Sequence, residues 1–207
     1  MSQLFQIHPD NPQQRLLNTA SDMVQAGGVA VYPTDSTYAI GCQMGDKRAI
    51  DRLRLIRQLG KKHEFTLVCQ DLSAIATYAK VSNAAYRFLK AHTPGPYTFI
   101  LQATHEVPRR LQNPKRKSIG IRVPDNAILK GLLETLGEPM ISTTLMLPGD
   151  DMALTDPYEA QALLSNQVDL VIDGGYCGYE ETTVVDLIDD IPVVVREGLG
   201  PIDGFGR

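Results

Sequence analysis

The stretch VYPTDSTYAIGC, residues 31–42, decides how the chain is read. A short apolar run reaches Pro33 and breaks at once into Thr34, Asp35, Ser36, Thr37 and Tyr38. Five successive side chains with polar groups cannot all enter a core without partners. The run therefore reads as a buried strand that opens abruptly onto a polar site. Small polar residues recur at the ends of other expected strands: Thr66, Thr98, Ser118, Ser142 to Thr144, and Thr182 with Thr183. Strand ends are where ligands bind in α/β sheets, and hydroxyls there suit phosphate oxygens or a small polar substrate. Arg122 and Arg196 also fall at strand ends, where each offers a bidentate fork to a carboxylate or phosphate. Any single threonine in a strand is explained by β-propensity alone. Their clustering at strand termini is harder to explain that way.

Outward from this stretch, helix and strand patterns alternate. Residues 11–28 carry an apolar stripe of Leu16, Leu17, Ala20, Met23 and Val24, with Asn11 as a cap and Gly27 as a stop. A second helix is expected from Asp46 to just before Gly60. Further helices are expected over 71–79, 83–92, 125–137 and about 157–166. Strands are expected over 29–33, 65–69, 97–103, 118–124, 139–145, 168–172, 182–188 and 191–197. Short connections and the absence of repeats predict one α/β domain over 1–207.

Bulk properties agree. The 207 residues suffice for a sizeable core, and no apolar run approaches the roughly 20 residues of a membrane span. The start has no basic segment followed by an apolar one, so a cytoplasmic protein is expected. Cys42, Cys69 and Cys177 are widely spaced and read as free thiols; the four scattered histidines propose no metal site. The net charge of −4 hides an asymmetry: residues 1–122 hold 17 cations against 8 anions, and residues 123–207 hold 3 against 16. The basic half concentrates its charge in KRAIDRLRLIRQLGKK (47–62) and RRLQNPKRK (109–117). A lone charge run is ordinarily a solvated face. Two in an otherwise acidic chain point to an anionic partner, phosphate or nucleic acid. No phosphate-binding loop, dinucleotide fingerprint, GxSxG or HExxH is present.

Taken in order, GGVAVYPTDSTYAIGC, PGPYTFIL, IGIRVP, STTLMLPG, DGGYCGYEETTVVDL and VVVREG resemble the motifs of the YrdC-like family. The likeness runs over about residues 15–198 and is strongest to its YciO branch. That family includes the L-threonylcarbamoyladenylate synthases of tRNA threonylcarbamoyladenosine formation. The resemblance implies a YrdC/RibB-like single domain: a twisted, open, mixed α/β sheet with a concave basic face. It also implies threonine, bicarbonate and ATP with magnesium as substrates, and an association with double-stranded RNA or tRNA. By position, Thr34, Thr66, Arg122, Thr143 and Thr182 fall where the synthases hold threonine or its adduct. Arg57, Lys61, Ser118 and Arg196 fall near the nucleotide. Arg109, Arg110, Lys115, Arg116 and Lys117 are the candidate RNA contacts.

Two departures set this chain apart. Where synthases have Lys-x-Arg at the end of the second helix, it has Arg57-Gln58-Leu59. Where they have Ser-x-Asn, it has Thr144-Leu145-Met146. Leucine cannot stabilise phosphate charge, and methionine lacks the donor and acceptor of asparagine. Three readings follow: a protein binding RNA and a nucleotide or adenylate-type ligand with weak or redirected adenylate chemistry; a working synthase, hence a nucleotidyltransferase; or a hydrolase or transferase of a carbamoyl or acyl adenylate.

Overall fold

The computed structural model describes residues 1–60, 63–203 and 205. Ten strands form one sheet: β1 (Gln3–Gln6), β2 (Ala30–Pro33), β3 (Tyr38–Gln43), β4 (Thr66–Val68), β5 (Tyr97–Gln102), β6 (Ser118–Arg122), β7 (Met140–Thr144), β8 (Leu170–Asp173), β9 (Thr183–Asp186) and β10 (Val193–Arg196). Their spatial order is β1-β8-β2-β3-β7-β4-β6-β5-β9-β10. The β1–β8, β2–β8, β4–β6 and β5–β9 pairs are parallel, and the rest are antiparallel, so the sheet is mixed. This is the single open α/β domain the sequence implied.

Among the described residues six α-helices accompany it: α1 (Gln14–Gln25), α2 (Lys47–Arg57), α3 (Leu72–Tyr78), α4 (Asn83–His92), α5 (Ala127–Leu136) and α6 (Pro157–Leu164). Asp46, Asp71, Ser82, Asn126 and Asp156 cap α2 to α6, each side chain accepting a first-turn N–H. Helix α1 begins three residues after Asn11, and its cap position, Gln13, makes no side-chain capping bond.

Alternation along the strands sorts side chains onto two faces. One face carries Val31, Ile40, Leu67, Phe99, Ile121, Ile141, Val171 and Val185, and packs against Leu53 of α2, Ile75 of α3, Leu89 of α4 and Leu164 of α6. Each such fully buried side chain contributes about 1.5–3 kcal/mol. The opposite face is covered unevenly. Ala30, Tyr32, Leu170 and Ile172 lie beneath α1 and α5. These two helices meet closely, since a Cβ on Gly131 would stand 2.7 Å from Leu17 Cδ1. Farther along that face, β4, β6, β5 and β9 turn Thr66, Gly120, Thr98, Ile100 and Val184 toward an open depression instead of a helix.

Two strands were not anticipated. β1 is four residues long and is held by pairing with β8. β3 begins within the stretch 31–42. The chain does not end a strand at Pro33; it turns back, and Pro33 pairs with Tyr38 in a β2–β3 hairpin. Residues 34–37 form its turn. Thr34 Oγ1 accepts the N–H groups of Ser36 (3.1 Å) and Thr37 (3.2 Å) and donates to the Thr37 carbonyl (2.6 Å). The Thr34 hydroxyl is thus consumed in closing the turn, a role for which Ser and Thr are suited.

Candidate functional site

The depression is a cavity of about 200 Å³ whose walls come from β3 to β7, β9, β10 and the segment before β4. Its floor is small and hydroxylated: Thr66, Thr98, Gly120, Ser142, Thr143 and Thr182 all line it. Thr98 and Thr182 hydrogen-bond each other across β5 and the start of β9, at 2.8 Å. Gly120 keeps the floor low, because an added Cβ would crowd Thr98 Cγ2 at 3.2 Å. Ser142 is fixed from behind by the Tyr32 hydroxyl at 2.8 Å.

Charged groups stand around the floor. Arg122, at the end of β6, is buried and pairs through Nη2 with Asp35 of the hairpin turn. Asp35 also accepts the Asp125 N–H at 2.9 Å. Both guanidinium Nη atoms lie 3.4 Å from Ser36 Oγ. Arg122 Nε is buried without a partner. Burial lowers the pKa of Arg122, and Asp35 opposes that effect. An unmatched donor on a buried guanidinium is a costly feature that a bound acceptor would relieve. On the far wall, Arg196 Nη1 donates to Glu181 Oε2 at 2.7 Å, and Glu181 Oε1 accepts the Thr144 hydroxyl at 2.9 Å. Arg57, half-buried at the end of α2, also has an unpartnered Nε; burial lowers its pKa and the charge of Glu181 offsets this. His63 Nε2 lies 3.3 Å from Thr143 Oγ1. Burial, then Arg57 and Arg54, hold its pKa below the usual histidine range.

Of the residues expected at a site, Thr66, Arg122, Thr143, Thr182 and Arg196 line this one cavity. Thr34 stands off the lining, joined to it through Ser36 Oγ (3.1 Å), which in turn faces Arg122. Of the hydroxyl row, Thr37 reaches the lining. Ser118 is buried at the start of β6, the end opposite Arg122, and is likewise off the lining. Lys61 lies outside the described residues. The second basic run is exposed on the loop before β6. Arg110 there donates to the Gly45 carbonyl at 3.1 Å, bringing this loop to the start of α2 and its basic run. Arg116 is paired with Asp186 at 2.6 Å. Sequence reasoning missed Glu181, His63 and the Asp35 pairing. Glu181 and His63 had no visible signal, since their partners are distant in sequence; Ser142 had been noted only as one of many strand-end hydroxyls.

An open mixed α/β sheet with an arginine-rimmed hydroxyl cavity on its less covered face defines the class of fold. The chain belongs to the Sua5/YciO/YrdC family, whose model, described as telomere recombination, matches residues 22–198. It is 60% identical to the uncharacterized protein YciO of Escherichia coli strain K12 over 205 residues, which cover 99% of this chain and 100% of that protein. The crystal structure of E. coli YciO superposes with a TM-score of 0.94 over 99% of this chain and 100% of the other. The fold is shared with P. abyssi Sua5 crystallised in complex with L-threonine: TM-score 0.87, 22% identity, covering 95% of this chain and 58% of that one.

Proposed function

We propose that the cavity binds L-threonine or a threonylcarbamoyl-adenylate-type ligand, that the basic runs hold RNA, and that adenylate chemistry here is weak or redirected. The observation that carries this reading is Arg122. It combines burial, an unpartnered Nε and a floor of hydroxyls within one cavity of amino-acid size. In this role Arg122 takes the ligand carboxylate, while Thr66, Thr143 and Thr182 meet its hydroxyl and carbonyl groups. Thr34 acts through the turn that presents Asp35 and Ser36. Arg57 and Arg196 serve the phosphate side, Lys61 is assigned there by its position in the family pattern alone, and Ser118 supports the strand. The L-threonine bound by the related P. abyssi fold favours this assignment.

Weak synthase chemistry is favoured over a working synthase by Leu59, which packs against the core. The next α2 cation that synthases would offer is replaced there by an apolar contact. Among the described residues no group of three or more His, Cys, Asp or Glu gathers to hold a metal. Magnesium would arrive on the nucleotide phosphates, as it commonly does.

The deciding experiment supplies purified protein with threonine, bicarbonate and ATP and follows threonylcarbamoyl-AMP and pyrophosphate, beside a calorimetric titration of threonine alone. Threonine binding with little pyrophosphate is expected. Threonine-dependent pyrophosphate release at synthase rates would establish the working synthase instead. Turnover confined to preformed adenylate would identify the hydrolase or transferase.

A further inference from the structure

We infer that nucleic acid is held by its phosphodiester backbone in a groove separate from the cavity, beside the end of β5 and the start of β6. This rests on the RNA-binding reading above and assigns it a surface. The groove encloses about 820 Å³, against about 200 Å³ for the cavity. Lys80, Arg109 and Lys117 line it, with Gln112, Asn113 and Thr104 between them, and no carboxylate is among its lining residues.

The distribution of ion pairs separates the two sites. In the cavity, Arg122 is bound to Asp35 and Arg196 to Glu181. A polyanion entering there would have to break both pairs or overcome their carboxylates. In the groove, Lys80, Arg109 and Lys117 are exposed, and none forms an ion pair among the described residues. Arg116, of the same loop, is instead committed to Asp186. Phosphodiester contact therefore disrupts no ion pair in the groove, whereas in the cavity it competes with two. Contacts of this kind fix position on a backbone without reading sequence. Arg110, next to Arg109 in sequence, is anchored on the Gly45 carbonyl close to the start of α2.

Lys117 provides a clean handle. It holds a left-handed backbone conformation, φ 53°, closed by its N–H on the Asn113 carbonyl (2.8 Å) and by its carbonyl accepting from Ala103 (2.9 Å). Glycine adopts that conformation with less strain, so Lys117→Gly removes the charge while easing the backbone.

The test compares wild type, Lys80→Gln/Arg109→Gln/Lys117→Gly, and a control of equal charge loss, Arg15→Gln/Arg87→Gln/Lys90→Gln. Each is titrated with a fluorescent RNA duplex at several salt concentrations. The groove variant is expected to bind at least about tenfold more weakly, with a salt slope shallower by roughly two to three. The control should stay close to wild type, and saturating L-threonine should leave RNA affinity unchanged. If wild type binds but the groove variant binds equally well, or the control falls as far, the groove is wrong while the RNA reading stands. If threonine displaces RNA, the two share the cavity and the separation is wrong. A wild-type protein without RNA affinity at low salt overturns both.

Discussion

The hydroxyl of Tyr32 on β2 reaches Ser142 Oγ on β7, 2.8 Å away, by passing over the strand between them at Gly41. A Cβ on Gly41 would stand 2.4 Å from both Tyr32 Oη and the Ile141 carbonyl. Tyr32 is fully buried, and burial pushes its pKa well above the usual tyrosine value, so it remains a neutral donor. Gly41→Ala therefore overpacks a backbone contact and strands a buried hydroxyl. A loss of about 2–5 kcal/mol is expected in urea unfolding. Tyr32→Phe should cost only about 1 kcal/mol. Its larger effect should be on threonine binding, because it frees Ser142 to turn within the floor.

Arg122 and Asp35 make a second long-range link, both almost fully buried. Removing one partner leaves the other charge uncompensated, so Asp35→Asn should destabilise by about 3–5 kcal/mol. Asp35→Asn combined with Arg122→Met should recover much of that loss. A double-mutant cycle read by chemical denaturation gives the coupling. Both Arg122→Met and the double variant should lose threonine binding in calorimetry, whatever their stability.

How far this site could be read from sequence follows from where its partners lie. Helix α4 was legible residue by residue, because the 83–92 pattern is a local signal. Arg122, Thr66 and Thr182 were legible as strand-end polar residues. The 34–37 turn was misread because Tyr38 to Cys42 are all buried, so β3 lacks the polar alternation that marks a half-exposed strand. Glu181 was invisible because its contacts, Thr144 and Arg196, are set by strands that become neighbours only in the folded sheet.

Glu181 is an anion resident on the cavity wall. Its pair with Arg196 is partly exposed, so Glu181→Gln should change stability by less than about 1 kcal/mol. The same change releases Arg196 and lifts the negative field on Arg57. Affinity for pyrophosphate or ATP should rise several-fold in calorimetry, with threonine affinity little altered. Weaker polyphosphate binding would instead mean that Glu181 orients Arg196 for the ligand.

His63 gives the fold a pH dependence. Its folded-state pKa lies below the usual 6.5, chiefly through burial and then through Arg57 and Arg54. The unfolded chain therefore takes up a proton near pH 6.5 that the folded protein refuses until lower pH. The stabilising contribution of the neutral ring is complete above about pH 6.5 and is lost as pH falls below it. Urea midpoints measured from about pH 7.5 down to about pH 5 should decline. The decline should be shallower in His63→Gln; an identical slope would assign it to other groups.

The last prediction concerns Leu59 and Met146, the two departures from the synthase pattern. Leu59 follows the left-handed cap Gln58, and its N–H closes the helix end on the Arg54 carbonyl at 2.9 Å. Its side chain packs against the core, so it is the apolar anchor that commonly accompanies such a helix end. Leu59→Arg should thus cost about 1–3 kcal/mol from lost packing, beyond repulsion from Arg54 and Arg57. Met146 is partly exposed just after β7, next to fully buried Leu145. Met146→Asn should be nearly neutral for stability, and it restores a donor and an acceptor near the end of the strand that carries Thr143 and Thr144. If the missing phosphate and carbamoyl contacts limit adenylate chemistry, wild type forms threonylcarbamoyl-AMP near background. The double variant should then form measurably more at a temperature where both proteins are folded. The changes belong together because groups acting on one transition state are not additive. Robust turnover by the wild-type protein would show that Arg57 and its neighbours already grip the phosphates, and a working synthase would be the correct reading.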